Sequence, residues 1–110
     1  MERARKAGVA IAAGSDMWFL WPEKTRGQAT LLELEGLVAE GMTPAEALRA
    51  ATITAAELLG WQDRVGEIAA GKLADIIALD GDPLQRIGDL QSVRFVMKGG
   101  VVVRSEYVAK

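Results

Sequence analysis

The 110-residue chain contains no cysteine and no histidine. Without cysteine it can form neither a disulfide framework nor a thiolate zinc site, and it has no cysteine nucleophile. Without histidine it has no imidazole base and no imidazole metal ligand. These two absences exclude any catalytic site that this chain alone would build around a thiolate or an imidazole group.

The sequence also lacks a surplus of positive charge and a long apolar run. Lys and Arg number 13 against 15 Asp and Glu, so we expect no nucleic-acid partner. No apolar run reaches the length of a membrane span, and we expect no membrane partner. The basic residues 1–6 and the short apolar stretch after them imitate a signal peptide only faintly, because Asp16 closes the stretch early. A cytoplasmic location is therefore the default expectation, with export of a longer parent protein left open.

The first forty residues predict a buried strand and a helix. Residues 9–13 form a continuous apolar run, which is typical of a strand covered on both faces. Leucine and valine then recur at helical spacing from about residue 28 to residue 40, and Gly41 suits the end of that helix. Glu33 and Glu35 point to different faces of this helix, so they cannot act as a pair, and we expect both to be solvated.

A second helix start follows at Thr43. Thr43 can cap the helix, Pro44 is tolerated at its first position, and Glu46 can complete a capping box. We predict that this helix runs to Leu59 and is ended by Gly60. Its buried face is rich in alanine, which favours close packing against a neighbouring element.

After residue 61 the hydrophobic period changes from that of helices to that of strands. Gly99-Gly100 is typical of a two-residue hairpin turn, because both positions can take positive φ at little steric cost. The pattern predicts a small antiparallel patch made of strands at residues 65–68, 74–79, 93–97 and 101–104.

Four segments, in this order, resemble the C-terminal end of the amidohydrolase superfamily. The similarity covers nearly the whole chain, and its strength lies in the common order and spacing of the four pieces. They are residues 8–16, similar to the last barrel strand with its G-[ST]-D motif; residues 43–60, similar to the final helix; residues 65–84, similar to the return into the β-sandwich; and residues 96–102, similar to the closing hairpin.

The resemblance implies an α/β fold, a C-terminal fragment of a (β/α)8 barrel followed by strands of a composite β-sandwich. Residues 1–62 would hold the last barrel strand, an active-site loop and two helices. Residues 63–110 would hold the sandwich strands and the closing hairpin. Within the superfamily the sequence looks most similar to the imidazolonepropionase-like and dipeptidase-like enzymes.

Members of that branch resemble one another in chemistry as well as in fold. They bind one or two divalent metals, usually zinc, and hydrolyse amide or related C–N bonds of small molecules or dipeptides. Their ligands are an early His-x-His pair, a carboxylated lysine or a glutamate, two later histidines and a final aspartate. Only the final aspartate has a counterpart here. The resemblance therefore implies that Asp16 is a metal ligand and catalytic carboxylate, and we expect no metal to be bound by this chain alone.

Asp16 also has a purely local interpretation as a turn aspartate that caps the following segment. The loop after it, residues 17–27, would lie over the mouth of a complete barrel. The candidates for substrate contact in this loop are Trp18, Trp21, Lys24 and Arg26. The alternative is a loop anchored by its aromatic side chains with solvated charges.

Two hypotheses for the function remain open, and so does the question whether this chain is an enzyme. The first is a fragment or truncated member of a metal-dependent hydrolase, inactive on its own, whose parent acts on amide or dipeptide C–N bonds. The second is a non-catalytic, self-associating or ligand-binding module derived from an amidohydrolase. In the arrangement of a complete enzyme, strand edges and apolar helix faces of this chain would stand exposed. We therefore expect a homo-oligomer, association with a missing N-terminal part, or repacking of the helices onto the chain's own β patch.

Overall fold

Helices occupy the first half of the chain and an antiparallel sheet occupies the second half. The computed structural model describes residues 1–19 and 21–107. None of the helices in these residues is both long and apolar enough to span a bilayer. The elements are α1 Glu2–Lys6, α2 Arg26–Ala39, α3 Pro44–Ala51, α4 Ile53–Leu58, β1 Ile76–Leu79, a 3₁₀ helix Ile87–Gln91, β2 Val93–Lys98 and β3 Val101–Ser105.

Capping boxes begin both of the longer helices. In α3 the Thr43 hydroxyl accepts the Glu46 amide at 3.2 Å, and the Glu46 carboxylate accepts the Thr43 amide at 2.7 Å. This confirms the predicted helix start, with Pro44 at its first position. A second box between Thr25 and Gln28 begins α2 at Arg26, two residues before the predicted start. Such boxes satisfy amides that the first helical turn leaves unpaired.

Alanine side chains let α3 pack closely against its neighbours. The buried cluster consists of Met42, Ala47 and Ala50, and Ala47 has no exposed surface. Partly buried side chains from three parts of the chain pack against this cluster, so it joins the segment before α2 to the helices and to the 3₁₀ helix. These side chains are Ile11, Ala13, Leu37, Val38 and Ile87.

The predicted single helix from residue 43 to residue 59 is wrong in one respect, because it breaks at Thr52. The Thr52 hydroxyl donates to the Leu48 carbonyl at 2.7 Å, and its backbone takes φ −124° and ψ −87°. A threonine hydroxyl that bonds back to the preceding turn bends helices. The chain then continues as α4, and Gly60 follows it with φ 70°. The predicted end of the helical region is therefore confirmed.

The sheet has the order β1-β2-β3, and both pairings are antiparallel. Lys98 faces Val101 across a turn in which Gly99 and Gly100 have φ values of 56° and 83°. Two consecutive positive φ angles match the twist of the flanking strands. The predicted hairpin is thus confirmed, as are the strands on either side of it.

The predicted strands at residues 9–13 and 65–68 are wrong for this structure, because the described residues form no strand at either place. At the first, the Ala13 amide donates to the Ala50 carbonyl of α3 at 2.9 Å, and Val9 is 57% exposed. At the second, Gly66 takes φ 100°, and a Cβ on it would lie 2.8 Å from the Ala56 Cβ. A strand needs a neighbouring strand for its amides and carbonyls, and neither segment has one among residues 1–19 and 21–107.

Candidate functional site

Asp16 lies in an exposed turn directly after the apolar segment 9–13. Its φ is 45°, in the left-handed region, and its carbonyl accepts the Trp18 amide at 2.8 Å. Aspartate tolerates this backbone conformation better than most residues other than glycine. The turn therefore places the Asp16 carboxylate at the surface, where it can meet a ligand or another polypeptide segment.

Two helices hold the backbone just before this turn. The Ala13 amide donates to the carbonyl of Ala50 in α3 at 2.9 Å. The Gly14 amide donates to the carboxylate of Glu33 in α2 at 2.8 Å. Glu33 is half-buried, and one of its carboxylate oxygens is hydrogen-bonded, which the expectation of a solvated side chain did not include. Spacing along the chain could not reveal this contact, because the two residues are 19 positions apart and no local motif joins them.

The aromatic side chains after Asp16 form an exposed cluster. The Trp18 and Phe19 rings meet edge to face with centroids 5.4 Å apart, and Phe19 and Trp21 lie 5.9 Å apart in a tilted arrangement. Trp18 is 78% exposed. Phe19 joins the two tryptophans predicted as substrate contacts, although the sequence interpretation did not include it. The cluster offers a contiguous apolar surface beside Asp16 in the chain.

The two predicted cations lie at the end of the same loop. Lys24 and Arg26 are both exposed, and Arg26 is the first residue of α2, directly after the Thr25 cap. Within residues 1–19 and 21–107, neither side chain forms an ion pair. Both are therefore available to an anionic group, which a guanidinium can bind in a bidentate manner.

The donor set of this chain does not by itself fit a catalytic metal. Catalytic zinc takes three protein ligands and a water molecule. No group of three or more His, Cys, Asp or Glu side chains in the described ranges is arranged to hold a metal ion. Asp16 offers one carboxylate, and one oxygen of the Glu33 carboxylate already accepts the Gly14 amide. In the part of the chain that the structure describes, Asp16 therefore has no companion ligands at this turn.

Two open cavities lie away from this turn. One, of about 550 Å³, has Arg5 and Glu46 in its wall, and the other, of about 410 Å³, has Leu59 and Ile77 in its wall. Asp16 and the aromatic cluster line neither of them. In the first, the Arg5 guanidinium already pairs with the Glu46 carboxylate at 2.9 Å. The pKa of Glu46 is lowered by the Thr43 amide and by Arg5, which indicates a structural ion pair and not a proton donor.

The sequence profile of the Amidohydrolase family matches residues 1–103, a range that contains the Asp16 turn and the helices that hold it. This chain belongs to the amidohydrolase family. The resemblance drawn from the four sequence segments is thereby confirmed. The fold is α/β and similar to that of solved amidohydrolases, with a three-stranded antiparallel sheet in the described residues.

Three relatives illustrate the position of the chain within this family. Ochratoxinase of Aspergillus niger is 42% identical over 102 residues, covering 88% of this chain and 20% of that enzyme. Imidazolonepropionase of Brevibacillus brevis is 39% identical over 107 residues, covering 90% and 24%. A crystal structure of a Xaa-Pro dipeptidase with methionine bound in its active site superposes with a TM-score of 0.81 at 35% identity, covering 94% and 24%. The chain thus spans a quarter or less of the length of these relatives.

Proposed function

We propose that this chain contributes the Asp16 turn to the active site of a metal-dependent amidohydrolase that cleaves amide C–N bonds in small molecules or dipeptides. The observation that carries the proposal is the family match over residues 1–103, which includes this turn. The likeness to ochratoxinase, imidazolonepropionase and a Xaa-Pro dipeptidase supports hydrolysis of an amide bond as the reaction class.

Asp16 is the catalytic and metal-binding carboxylate in this proposal. It follows the segment that resembles the last barrel strand, and active sites of such barrels lie at the carboxyl ends of their strands. Its carboxylate is exposed and can accept a proton from an attacking water molecule. Amidohydrolases are generally metal-dependent, usually on zinc, and the histidine ligands of that site are absent from this chain. The proposal therefore requires a further part of the enzyme to supply them.

Substrate contact is assigned to the loop that follows. Trp18 and Trp21 offer an apolar surface to the side chain or acyl group of the substrate. Lys24 and Arg26 offer positive charge to a carboxylate, such as the one that ends a dipeptide. Residues 1–62 and 63–110 then correspond to the barrel portion and the sandwich portion of the complete enzyme.

One observation favours the second candidate function, a self-associating module without catalysis. β3 is an edge strand, and its three consecutive valines, Val101 to Val103, are all exposed. An apolar edge strand is a ready surface for pairing with another chain. In an assembly of such copies, the Asp16 turn would have no catalytic role.

The deciding experiment places this chain in a complete enzyme. The matching segment of Aspergillus niger ochratoxinase is replaced by the present chain, and hydrolysis of that enzyme's own substrate is measured with zinc supplied. We expect an active chimera that binds zinc. Asp16→Asn should lower kcat/KM by a factor of about 100 or more, the usual contribution of a positioned proton acceptor.

Asp63→Asn is the matched control, because Asp63 is exposed and its side chain makes no hydrogen bond within the described residues. The control should keep the activity of the unmodified chimera. Equal activity of the Asp16→Asn and Asp63→Asn chimeras would refute the catalytic role of Asp16. A folded chimera without any activity, together with a concentration-dependent oligomer of the free chain in sedimentation, would favour the self-associating module.

A further inference from the structure

One side chain outside the turn is hydrogen-bonded to the backbone where the Asp16 turn begins. The carboxylate of Glu33 accepts the Gly14 amide at 2.8 Å. In the part of the chain that the structure describes, this is the one side-chain hydrogen bond that reaches residues 9–19. Glu33 is half-buried in the middle of α2, whose start is held by the capping box at Thr25. The acceptor therefore lies on a helix whose start is stabilised by a capping box.

The hydrogen bonds on either side of Gly14 make the turn a short, defined unit. The Ala13 amide is held by α3, the Gly14 amide by Glu33 in α2, and the Trp18 amide by the Asp16 carbonyl. Asp16 itself lies in the left-handed region with φ 45°. A residue other than glycine keeps this conformation when its surroundings determine it. Beyond Gly14, no other hydrogen bond ties the turn to the helices among residues 1–19 and 21–107.

We propose that Glu33 is a positioning residue for Asp16, acting through the Gly14 amide to fix the orientation in which the Asp16 carboxylate is presented. The catalytic consequence rests on the proposed function, whereas the geometric consequence does not. A carboxylate is the right acceptor for this task, because hydrogen bonds to charged groups are stronger than those between neutral groups. Glu33 does not touch the reacting atoms in this proposal.

The geometric consequence is tested on the free 110-residue chain by amide hydrogen exchange, read out by nuclear magnetic resonance. In Glu33→Ala, the Gly14 amide should exchange at least about tenfold faster, because the net strength of a hydrogen bond to a charged acceptor is lost. The Trp18 amide should become less protected together with it. The Ala47 amide, which donates to the Thr43 carbonyl inside α3, should keep its exchange rate.

Two matched variants make this result specific. Glu33→Gln keeps an oxygen acceptor at nearly the same place and should restore most of the protection of Gly14 and Trp18. Glu35→Ala removes the neighbouring glutamate of α2, which lies 3.4 Å from the Gln91 side chain, and should leave both amides unchanged. Unchanged exchange of Gly14 in Glu33→Ala, or an equal loss of protection at Ala47, would overturn the proposal.

The catalytic consequence is tested in the ochratoxinase chimera. Glu33→Ala should lower kcat about tenfold while KM changes little, since supporting groups around a site typically contribute 10- to 100-fold. Glu33→Gln should recover most of that loss. An inactive parent chimera would count against the proposed function, while the exchange experiment would still decide the role of Glu33. An active chimera whose kcat is indifferent to Glu33→Ala would overturn the positioning role itself.

Discussion

Two apolar segments of this chain have similar patterns and opposite structures. Residues 9–13 and residues 93–97 are both short, largely apolar runs that suit buried strands. The second becomes β2, the central strand of the sheet, with β1 on one side and β3 on the other. The first forms no strand, and its Ala13 amide donates a hydrogen bond to the Ala50 carbonyl of α3. The two segments differ in whether a neighbouring strand is available for pairing, and not in their apolar sequence pattern.

The partner of β2 is close in sequence. Gly99 and Gly100 turn the chain at once, so β3 pairs with β2 at a small cost in loop entropy. β1 is also close in sequence, because only residues 80–92, which include the 3₁₀ helix, separate it from β2. Residues 9–13 have no comparable neighbour among the described residues, and a parallel sheet always requires partners that are distant in sequence. The amidohydrolase relatives, of which this chain spans a quarter or less, contain much more chain than is present here.

The comparison predicts that the two regions contribute very unequally to stability, and this gives the largest expected effect. Leu90 is 4% exposed in the 3₁₀ helix that contacts α2 and β1, just before β2. Leu90→Ala should lower the free energy of unfolding by about 2–5 kcal/mol, as is typical when a buried leucine leaves a cavity. Val9→Ala, in the segment without a strand partner, should change it by less than about 0.5 kcal/mol.

Both changes in the free energy of unfolding can be measured by urea unfolding, followed by circular dichroism. A loss in Val9→Ala as large as that in Leu90→Ala would contradict the comparison, since it would mean that the Val9 side chain is buried in solution, for example in an oligomer. If an oligomer buries Val9, the loss of unfolding free energy in Val9→Ala should depend on protein concentration.

The Gly99-Gly100 turn, which brings β3 beside β2, gives the next largest expected effect. Gly100 has φ 83°, so a β-branched residue there would be strained. Gly100→Val should destabilise the chain by about 1–2 kcal/mol, the usual cost of left-handed backbone for an L-residue. Gly36→Ala is the control, because Gly36 lies inside α2 with no atom within 4 Å of an added Cβ. It should stabilise the chain by about 0.5–1 kcal/mol. Opposite signs in thermal unfolding would sharpen the comparison, and a neutral Gly100→Val would contradict it.

Features that are local in sequence could be predicted, and features that need a distant partner could not. The capping box of Thr43 and Glu46 and the Gly99-Gly100 turn each involve residues within a few positions of one another. Their prediction is confirmed, because short-range hydrogen bonds and backbone sterics determine them. A strand at residues 9–13 would depend on neighbouring strands, and the sequence pattern cannot show whether these are present.

The candidate site follows the same division. The family resemblance pointed to the Asp16 turn and its aromatic loop, and the roles of Asp16, Trp18, Trp21, Lys24 and Arg26 stay predictions. The contact between Glu33 and the Gly14 amide could not be predicted from the sequence, because it depends on how α2 packs beside the turn. Glutamate on a helix is usually solvated, so composition and spacing carried no signal for it.

The smallest expected effect concerns Asp75, whose carboxylate contacts the turn between β2 and β3. The Asp75 carboxylate accepts the Gly99 amide at 2.7 Å and pairs with the Lys98 ammonium. The Lys98 ammonium, and next the Gly99 amide, lower the pKa of Asp75. A lowered folded-state pKa means that the stabilisation is present above the unfolded-state pKa, about 4, and is lost as the pH falls through the folded-state value.

Asp75→Asn keeps an oxygen for the Gly99 amide but removes the charge. The urea midpoint of the wild type should therefore exceed that of Asp75→Asn at pH 7, and the two midpoints should converge as the pH falls below about 4. Lys98→Met removes the other partner and should reduce the same pH dependence. Because both side chains are partly solvated, 1 M salt should shrink the difference at pH 7. A constant difference between wild type and Asp75→Asn at all pH values would show that the hairpin depends on its backbone turn alone.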